Sequence, residues 1–494
     1  MPTVQLSGST VVFANEEILA NPTPTTISLR VQPAEDVSVF VSYGRTPGQH
    51  VLSTATQDLT AQQHGTFTLR NLAPDGEFYY RLHCRRPSEA VFAARPEKSF
   101  RTLRREPEAT FSFALASDSH IFTTWLRSIC GSSTLENFQK TKDNILSADV
   151  DFLILGGDNF ITHTGVPGCA PVAEYGSGTV RTQRHADLRY QKVLSPELWG
   201  GVAGDLPLFY VLGNHDGETQ FGNTIGSCGH FDDTGTLSRS ARLKYLPDPT
   251  ESYYGSPDHA DYFTFASGAA RFIILDVMIG PDEYPDTDTW TLGATQLLWL
   301  ENVLERSTEQ WKFVFIEHLV GGEDGPLGSC VAPGIGGYSY ARGGLRSTLD
   351  NEITGEFKGE QAYLQQLMRE NGVNLFFHAH DHVAIAGEKK SANGQGEGVY
   401  YVMGGQCSND HPNGPGWASD SGYQAEMDYD SDGTADYLSG VNGSLVTGYF
   451  LVSVEGSAAV QVEYIESNAF VPQLNGRTVF GFTLFPDGTS TLHF

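Results

Sequence analysis

Five short apolar runs in the middle of the chain each end in a cluster of polar side chains. The runs cover residues 111–117, 152–155, 208–212, 312–316 and 373–377. Their length and their content of aromatic and β-branched residues predict buried strands. Segments with apolar residues at helical spacing lie between several of these runs, at 134–146, 296–304 and 358–369. Alternation of strands and helices predicts an α/β domain in which helices cover a sheet.

The two ends of the chain show a different pattern, in which apolar and polar residues alternate. Residues 1–105 alternate in short runs between turn residues, which predicts an all-β sandwich. The charged, proline-containing stretch 102–108 is the predicted linker to a main domain that spans 106–470. Alternation returns at 449–454 and 460–465, and we expect these strands to complete the second sheet of the main domain. Residues 471–494 are predicted to add a C-terminal β-hairpin.

Three long insertions interrupt the main domain, at 162–190, 217–260 and 321–357. They are rich in Gly, Ser, Asp and Pro. Loops of this length in a compact domain tend to be functional or disordered. Because they follow strands that end in polar clusters, we expect them to form the rim of a substrate pocket.

The net charge of the chain argues against two classes of binding partner. The formal net charge is −28, with 31 basic and 59 acidic residues. Nucleic acid and anionic membranes both require a basic face, so neither is expected as a partner. No stretch approaches the roughly 18 apolar residues of a membrane span. A small anionic substrate would need local positive charge, which bound metal ions supply.

The cysteines bear on the location of the protein. There are six, and five of them lie in loops rich in Gly, Ser and Pro. This arrangement favours disulfides in a secreted or periplasmic protein, with free structural thiols as the alternative. The first residues lack the charged and apolar regions of a signal peptide, so the protein is either cytoplasmic or an exported mature form whose leader is not part of this sequence.

The polar clusters at the strand ends carry the candidate chemistry. They contain Asp118 and His120; Asp158 and Asn159; Asn214, His215 and Asp216; Glu317 and His318; and His378, His380 and His382. Open α/β sheets place their sites at such strand ends. Imidazole, carboxylate and amide groups together favour Fe, Mn, Zn or Co over Mg or Ca.

In order and spacing these clusters resemble the motifs of the calcineurin-like metallophosphoesterases, over roughly residues 110 to 410. The family pattern is Asp-x-His, Gly-Asp, Gly-Asn-His-Asp, a lone His and Gly-His-x-His, and Ala379 replaces the last Gly. The resemblance implies a four-layer α/β/β/α sandwich. Leu72-x-Pro74 before an aromatic strand resembles the corner of fibronectin type III domains, which precede the catalytic domain in purple acid phosphatases.

The resemblance also implies roles for individual residues. One ion takes Asp118, His120, Asp158 and His382, and the other takes Asp158, Asn214, His318 and His380, so that Asp158 bridges. A hydroxide shared by the ions attacks the phosphorus in line. His215 faces the leaving oxygen and Asp216 orients it. The implied activity is phosphomonoester hydrolysis. The alternatives are a phosphodiesterase or nucleotidase of the same fold and a non-catalytic adhesion or binding protein.

Two departures from the purple enzymes are informative. Their tyrosine ligand, three residues after the bridging Asp, corresponds to Ile161 here, and they lack the His that follows the first Asp, here His120. We therefore expect a colourless or weakly coloured enzyme. Around the ions, the residues predicted to contact the substrate or to support the ligands are Asn159, His378, Arg342 and His411.

An acidic stretch near the C-terminus predicts either a calcium site or a solvated loop. Its carboxylates are Asp428, Asp430, Asp432 and Asp436, which alternate around Gly433. Carboxylates at alternate positions can converge on Ca²⁺, as in an EF-hand loop. Ser439 stands where an EF-hand has its last Glu, and the pattern more closely resembles the Asp-rich calcium loops of secreted repeat proteins.

Overall fold

The fold is taken from a computed structural model of the protein. It describes residues 11–120, 135–159, 180, 182–213, 215–218, 234–247, 261–276, 292–318, 360–380, 382, 384–390, 396–408, 426–427, 437–439 and 446–493. These residues form three sheets, of ten, eight and six strands, and the helices that cover two of them.

The N-terminal region is an all-β sandwich. Its strands are β1 (Phe13–Ala20), β2 (Ile27–Pro33), β3 (Val37–Gly44), β4 (Leu52–Ser53), β5 (Gln57–Leu59), β6 (Gly65–Leu69), β7 (Glu77–Arg85), β8 (Ala93–Ala94) and β9 (Lys98–Arg101). One layer contains β1, β2 and β6, and the other contains β3, β4, β5, β7, β8 and β9. Burial alternates along β7, as it must where one face of a strand packs on a core. The predicted all-β sandwich is therefore confirmed.

The first catalytic sheet is built around three parallel strands. These are β10 (Thr110–Ala116), β11 (Phe152–Leu155) and β12 (Leu208–Tyr210), which end in the first three polar clusters. Their parallel pairing brings the carboxyl ends of all three strands to one edge of the sheet.

The second catalytic sheet carries the other two clusters. Its strands are β13 (Phe263–Ser267), β14 (Ala270–Ile274), β15 (Trp311–Phe315), β16 (Leu375–His378), β17 (Ile385–Lys390), β18 (Gly396–Met403), β19 (Glu426–Met427) and β20 (Tyr437–Ser439). Strands β14, β15, β16 and β18 run parallel to one another. The ends of β15 and β16 therefore lie side by side.

The C-terminal strands join the first sheet. They are β21 (Gly448–Glu455), β22 (Ala459–Glu466), β23 (Thr478–Leu484) and β24 (Ser490–His493), and β21 pairs antiparallel with β10. The prediction that the first two of these strands complete the second sheet is wrong. The hairpin of β23 and β24 continues the first sheet beyond β22.

Helices cover the outer face of each catalytic sheet. They are α1 (Leu135–Ser147), α2 (Gln183–Val193), α3 (Gly200–Ala203), α4 (Thr234–Tyr245), α5 (Gly293–Arg306) and α6 (Glu360–Glu370). Apolar residues of α1 to α4 cluster with the first sheet, and those of α5 and α6 cluster with the second. The predicted α/β/β/α layering is confirmed.

A core rich in phenylalanine fills the space between the two catalytic sheets. Along β15, Phe313 and Phe315 point into this core, whereas Val314 and the following Ile316 pack on the helix side. The alternation shows that both faces of the strand are buried, as expected where helices and a second sheet cover a parallel sheet.

The N-terminal sandwich and the first catalytic sheet share one hydrogen-bonded layer. Strand β1 pairs in parallel with β12 at Ala20 and Leu208. The hydroxyl of Tyr80 donates to the carbonyl of Gly204, with 2.7 Å between the oxygens. The two domains are therefore joined through backbone pairing as well as through side chains.

Two cysteines, Cys84 and Cys407, lie within the described residues, and both are buried and free. The expectation of a disulfide is therefore wrong for Cys407, the loop cysteine of this pair. Cys130, Cys169, Cys228 and Cys330 fall outside the described residues. Within the described ranges, no helix has the length and apolar character needed to cross a membrane.

Candidate metal centre

The loops that follow the strands are tied together by backbone hydrogen bonds. The N–H of Asp118 donates to the carbonyl of Gly157, and the N–H of His120 donates to that of Asp158. These bonds join the loops after β10 and β11. In the second sheet, the N–H of Ala379 donates to the carbonyl of Glu317 and joins the loops after β15 and β16. The clusters predicted from sequence are thus brought to one place.

One group of ligand atoms comes from Asp118, His120 and His382. Their ligand atoms lie within 4.8 Å of one another, and all three residues are buried. The Nε2 atoms of His120 and His382 are 2.9 Å apart, and His382 Nε2 is 3.4 Å from Asp118 Oδ1. Among the described residues, neither carboxylate oxygen of Asp118 accepts a hydrogen bond. A buried carboxylate facing two imidazole nitrogens fits a divalent cation, because burial without compensation is costly.

A second group contains Asp158, Glu317 and His380, whose ligand atoms also lie within 4.8 Å of one another. Asp158 connects the two groups, because its Oδ2 atom is 3.8 Å from His120 Nε2. Burial, with Asp118 and Asp216 nearby, raises the pKa of Asp158 well above its usual range. A cation at this position would offset that repulsion. Glu317 was not predicted as a ligand.

Five predicted ligands have left-handed backbone conformations. Their φ angles are 52° at Asp118, 39° at His120, 51° at Asp158, 78° at His380 and 62° at His382. Such conformations cost free energy in residues other than glycine and cluster at functional sites. The chain therefore turns sharply at each strand end, and the surrounding fold holds these turns in place.

Two glycines of the motifs are required by close contacts. A Cβ atom at Gly213 would lie 2.2 Å from Asp158 Oδ1. At Gly157, where φ is 98°, it would lie 2.6 Å from Cγ of Glu317. Both positions thus leave room for carboxylates of the centre.

Asp216 fixes the backbone of these loops. Its carboxylate accepts hydrogen bonds from the N–H groups of Asp158, Asn159 and Gly213, at 3.1, 3.1 and 2.9 Å. Burial raises the pKa of Asp216 to about 7, while these N–H groups act in the opposite direction. Its predicted role in orienting the imidazole of His215 stays a prediction.

His215 lies at the edge of the centre. Its side chain is 15% exposed, whereas that of Asp158 beside it is 1% exposed. Its Nε2 atom is 3.9 Å from Asp158 Oδ2, and its ring centroid is 5.2 Å from that of His120. The imidazole therefore borders both the ligand groups and the solvent, where a substrate would enter.

Three other predicted residues of these loops are buried. His318 is fully buried, and its ring centroid is 4.2 Å from that of His380. Burial lowers the pKa of His378 to about 3, so this imidazole is neutral. Asn159 is buried, and its Oδ1 atom accepts a hydrogen bond from Trp199 Nε1 at 2.9 Å. Asn159 thus supports the loop after β11, and its predicted contact with a substrate stays a prediction.

The remaining predicted residues lie outside the described residues. They are Asn214, Ile161, Arg342, His411, Asp428, Asp430, Asp432 and Asp436. The calcium site, the loop contacts to the substrate and the secreted or periplasmic location all stay predictions.

Comparison with protein families decides the identity of the fold. A family model described as calcineurin-like phosphoesterase matches residues 111–384, more than half of the chain. The chain belongs to the calcineurin-like phosphoesterase family. The match begins in β10 and ends just after the second His of the last motif, so the matched region contains every described candidate ligand of the centre.

Two solved structures show the same fold over nearly the whole phosphoesterase chain. PhoD superposes with a TM-score of 0.67 at 16% identity, covering 99% of this chain and 93% of its own. Purple acid phosphatase PPD1 from seeds of yellow lupin (Lupinus luteus) gives 0.61 at 14% identity, covering 95% and 74%. At these identities the likeness concerns the fold alone. No curated protein is similar enough in sequence to be a match.

Proposed function

We propose that this phosphoesterase hydrolyses phosphomonoesters with two divalent transition-metal ions. The observation that carries the proposal is the pair of ligand groups joined through Asp158. Asp118, His120 and His382 would hold one ion. The other ion would be held by Asp158 and His380, together with the predicted Asn214 and either Glu317 or His318 at the end of β15. Ions paired in this way supply Lewis acidity and an ionised water at neutral pH.

The surrounding side chains provide orientation and proton transfer. His215 borders the centre on its solvent side, so its imidazole can donate a proton or a hydrogen bond to the leaving oxygen of the ester. Asp216 holds the loops in place through its three backbone contacts. With a net charge of −28, the protein attracts an anionic substrate only where bound cations reverse the local potential.

The test compares p-nitrophenyl phosphate with its bis-ester and with nucleotides, using metal-loaded wild-type protein and the His215→Ala variant. We expect the mono-ester to be the better substrate. Loss of a general acid lowers kcat/KM by about 100- to 10,000-fold. Metal content should not change, because His215 is outside the proposed ligand set. His493→Ala, in the distant hairpin, is the matched control and should retain wild-type activity.

Each result has a distinct consequence. Faster hydrolysis of the bis-ester would replace the proposed substrate with a phosphodiester. Wild-type rates in His215→Ala would remove the role of the imidazole. A fully metal-loaded protein that hydrolyses none of these esters would favour a non-catalytic binding protein.

A further inference from the structure

The three candidate ligands of the first group come from two different sheets. Asp118 and His120 follow β10 of the first catalytic sheet, and His382 follows β16 of the second. The Nε2 atoms of His120 and His382 are nevertheless 2.9 Å apart. Because the distances from a metal ion to its ligands vary by only about 0.2 Å, a small shift of one sheet against the other would weaken binding of the ion. Contacts that join the sheets beside this group therefore matter for its function.

We propose that Ser408 is a positioning residue for the first ion, the one assigned to this group. Its hydroxyl donates a hydrogen bond to the carbonyl of Ser119. Ser119 lies between Asp118 and His120, so the contact holds both ligands at a fixed distance from the second sheet. The inference rests on the proposed two-ion centre and adds to it a residue from outside the predicted ligand set.

The contact between the two serines is short and lies in the interior. The Oγ atom of Ser408 is 2.5 Å from the carbonyl oxygen of Ser119, at the short end of the range for hydrogen bonds between oxygen atoms. Ser408 is 1% exposed, and Ser119 is fully buried. Loss of a hydrogen bond to a buried carbonyl is costly, because water does not replace the donor. The hydroxyl therefore fixes the peptide group that follows Ser119.

The loop that Ser408 holds has a strained backbone. The φ angles are 52° at Asp118 and 39° at His120, so residues in left-handed conformations stand on both sides of Ser119. Such conformations cost free energy and persist only where the surrounding structure holds them. The N–H groups of Asp118 and His120 are bound by the loop after β11, within the same sheet. The carbonyl between them is bound from the opposite sheet, by Ser408.

Ser408 and His382 are fixed to the same sheet. Ser408 follows β18, which pairs in parallel with β16, the strand that precedes His382. The N–H of Gly404 donates to the carbonyl of His378 at 2.8 Å and continues this pairing beyond the strands. The hydrogen bond to Ser119 therefore links the loop that carries two ligands of the first ion to the sheet that carries the third.

Other contacts keep the segment around Ser408 in place when its hydroxyl is removed. The N–H of Cys407 donates to the carbonyl of Ser117 at 3.1 Å, and Gln406 forms a parallel β-bridge with Ser117. From the helix side, the hydroxyl of Thr141 donates to the carbonyl of Cys407 at 2.7 Å. A substitution of Ser408 thus removes one side-chain contact between the sheets and leaves the neighbouring backbone contacts intact.

The test measures bound metal rather than turnover. Ser408→Ala removes the hydroxyl, and the affinity for Zn²⁺ is determined by dialysis against a competing chelator, with bound metal measured by mass spectrometry. Loss of a group that supports metal ligands typically weakens binding 10- to 100-fold. Because Ser408 acts through the backbone, we expect the first ion to bind about 10-fold more weakly, at the low end of this range.

The two ions are measured separately in chains that lack one candidate ligand of the other group. His380→Ala removes a ligand of the second group, and His382→Ala removes a ligand of the first. Adding Ser408→Ala should weaken Zn²⁺ binding in the His380→Ala chain and leave it unchanged in the His382→Ala chain. Equal weakening in both chains would indicate a general loss of structure and would overturn the proposal.

Ser38→Ala is the matched control. Ser38 is buried in the N-terminal sandwich, and its hydroxyl donates to Asp58 at 2.6 Å, so the substitution removes a comparable hydrogen bond in another sheet. Its Zn²⁺ affinity should equal that of the wild type. If a chain without His380 or His382 binds no ion, the comparison of Ser408→Ala with Ser38→Ala in the otherwise unchanged chain decides. Equal affinities in these two variants would contradict a role for Ser408.

Ser408→Cys is a second variant that keeps the size of the side chain close to that of serine. A thiol is a weaker hydrogen-bond donor than a hydroxyl, so we expect an affinity between those of the wild type and Ser408→Ala. Circular dichroism checks that each variant is folded. If Ser408→Ala does not fold, Ser408→Cys decides, and wild-type affinity in that variant overturns the proposal.

The same measurements separate this inference from the proposed function. Two ions bound with equal affinity by the wild type and Ser408→Ala would remove the role of Ser408 and leave the phosphoesterase centre intact. A wild-type protein that binds fewer than two ions would refute the two-ion centre itself.

Discussion

At the scale of the residue, the geometry of the metal centre depends on positions where backbone conformation and close neighbours restrict the residue type. Gly157 combines a left-handed conformation with a contact that excludes a side chain. Gly372, after α6, has a similar φ of 65° but no atom within 4 Å of a would-be Cβ. A comparison of alanine substitutions at these two glycines therefore distinguishes backbone strain from steric exclusion.

We predict that Gly157→Ala destabilises the protein more than Gly372→Ala does. Both variants force alanine to a positive φ, at roughly 1 kcal/mol. Only Gly157→Ala also displaces Glu317, which adds about 1–3 kcal/mol of overpacking. Urea unfolding of the metal-free proteins measures both values, and equal losses would refute the steric explanation.

The same scale shows what the sequence could predict of the centre. The sequence predicted Asp118, His120, Asp158, His380 and His382 as ligands, since each follows an apolar run and matches a family motif, and all five belong to the two groups of candidate ligand atoms. The presence of Glu317 in the second group was not predicted, because a motif indicates which residue type is usual and not which neighbouring side chains lie beside it.

At the scale of the element, α4 anchors the loop that carries His215. Glu218, three residues after His215, is buried against α4. Its carboxylate accepts hydrogen bonds from the buried guanidinium of Arg242 and from Arg239, with Nη2 of Arg242 at 3.1 Å and Nε of Arg239 at 3.3 Å. The helix thus fixes the chain directly after the loop that carries His215.

We predict that Glu218→Gln lowers the free energy of unfolding by about 3 kcal/mol, because it removes a negative charge that faces a buried guanidinium. The surface pair of Lys192 and Glu197 provides the control. Glu197→Gln should cost less than about 1 kcal/mol, as exposed pairs contribute little. Chemical denaturation measures both, and similar small losses would show that α4 does not depend on the buried pair.

Periodicity predicted most of the elements but misassigned one helix face. Strands β10, β11, β12, β15 and β16 and helices α5 and α6 lie where the pattern placed them. In α1, helical spacing places Leu135 and Leu146 on the same side as Phe138, yet they are 48% and 42% exposed. Thr141 is buried instead, because its hydroxyl donates to the carbonyl of Cys407 at 2.7 Å. Such long-range partners for polar side chains are not visible in local spacing.

At the scale of the whole molecule, the two domains share contacts near the end of α4. Nη1 of Arg30 donates to the carbonyls of Leu243, Lys244 and Leu246, where the free carbonyls of a helix end favour a cation. His64 lies in the same region, with its ring centroid 4.8 Å from that of Tyr245. The junction between the domains therefore contains the guanidinium group of Arg30 and the largely buried imidazole of His64.

We predict that His64 makes the domain junction sensitive to acid. Burial, with Arg30 and Lys244 nearby and Asp187 opposing them, lowers its pKa from 6.5 to about 4. A lowered pKa means that the unfolded chain takes up the proton first, so stability falls as pH drops from 6.5 towards 4. Between pH 7 and 4.5, wild type should lose about 2 kcal/mol more than His64→Gln.

Urea titrations of both proteins at the two pH values measure this difference. Parallel pH dependence in wild type and variant would contradict the prediction. Other histidines contribute equally to both proteins, so their effects cancel in the comparison.

The topology between domains could not be predicted from local patterns. The spacing of apolar residues indicated strands at both ends of the chain but did not show which strands they pair with. The pairing of β1 with β12 and of β21 with β10 joins residues that are far apart in sequence. Pairing of this kind depends on which edges the folded sheets leave open, which is a property of the assembled molecule.

The junction of β1 and β12 determines how the chain could be shortened. In the ten-stranded sheet, β1, β2 and β6 lie beyond β12 on one side. Without them, β12 would become an edge strand with unpaired backbone groups, and exposed edge strands can pair with strands of other molecules. A fragment that begins at the linker would therefore be prone to aggregation. We therefore expect the first domain to limit self-association by covering β12.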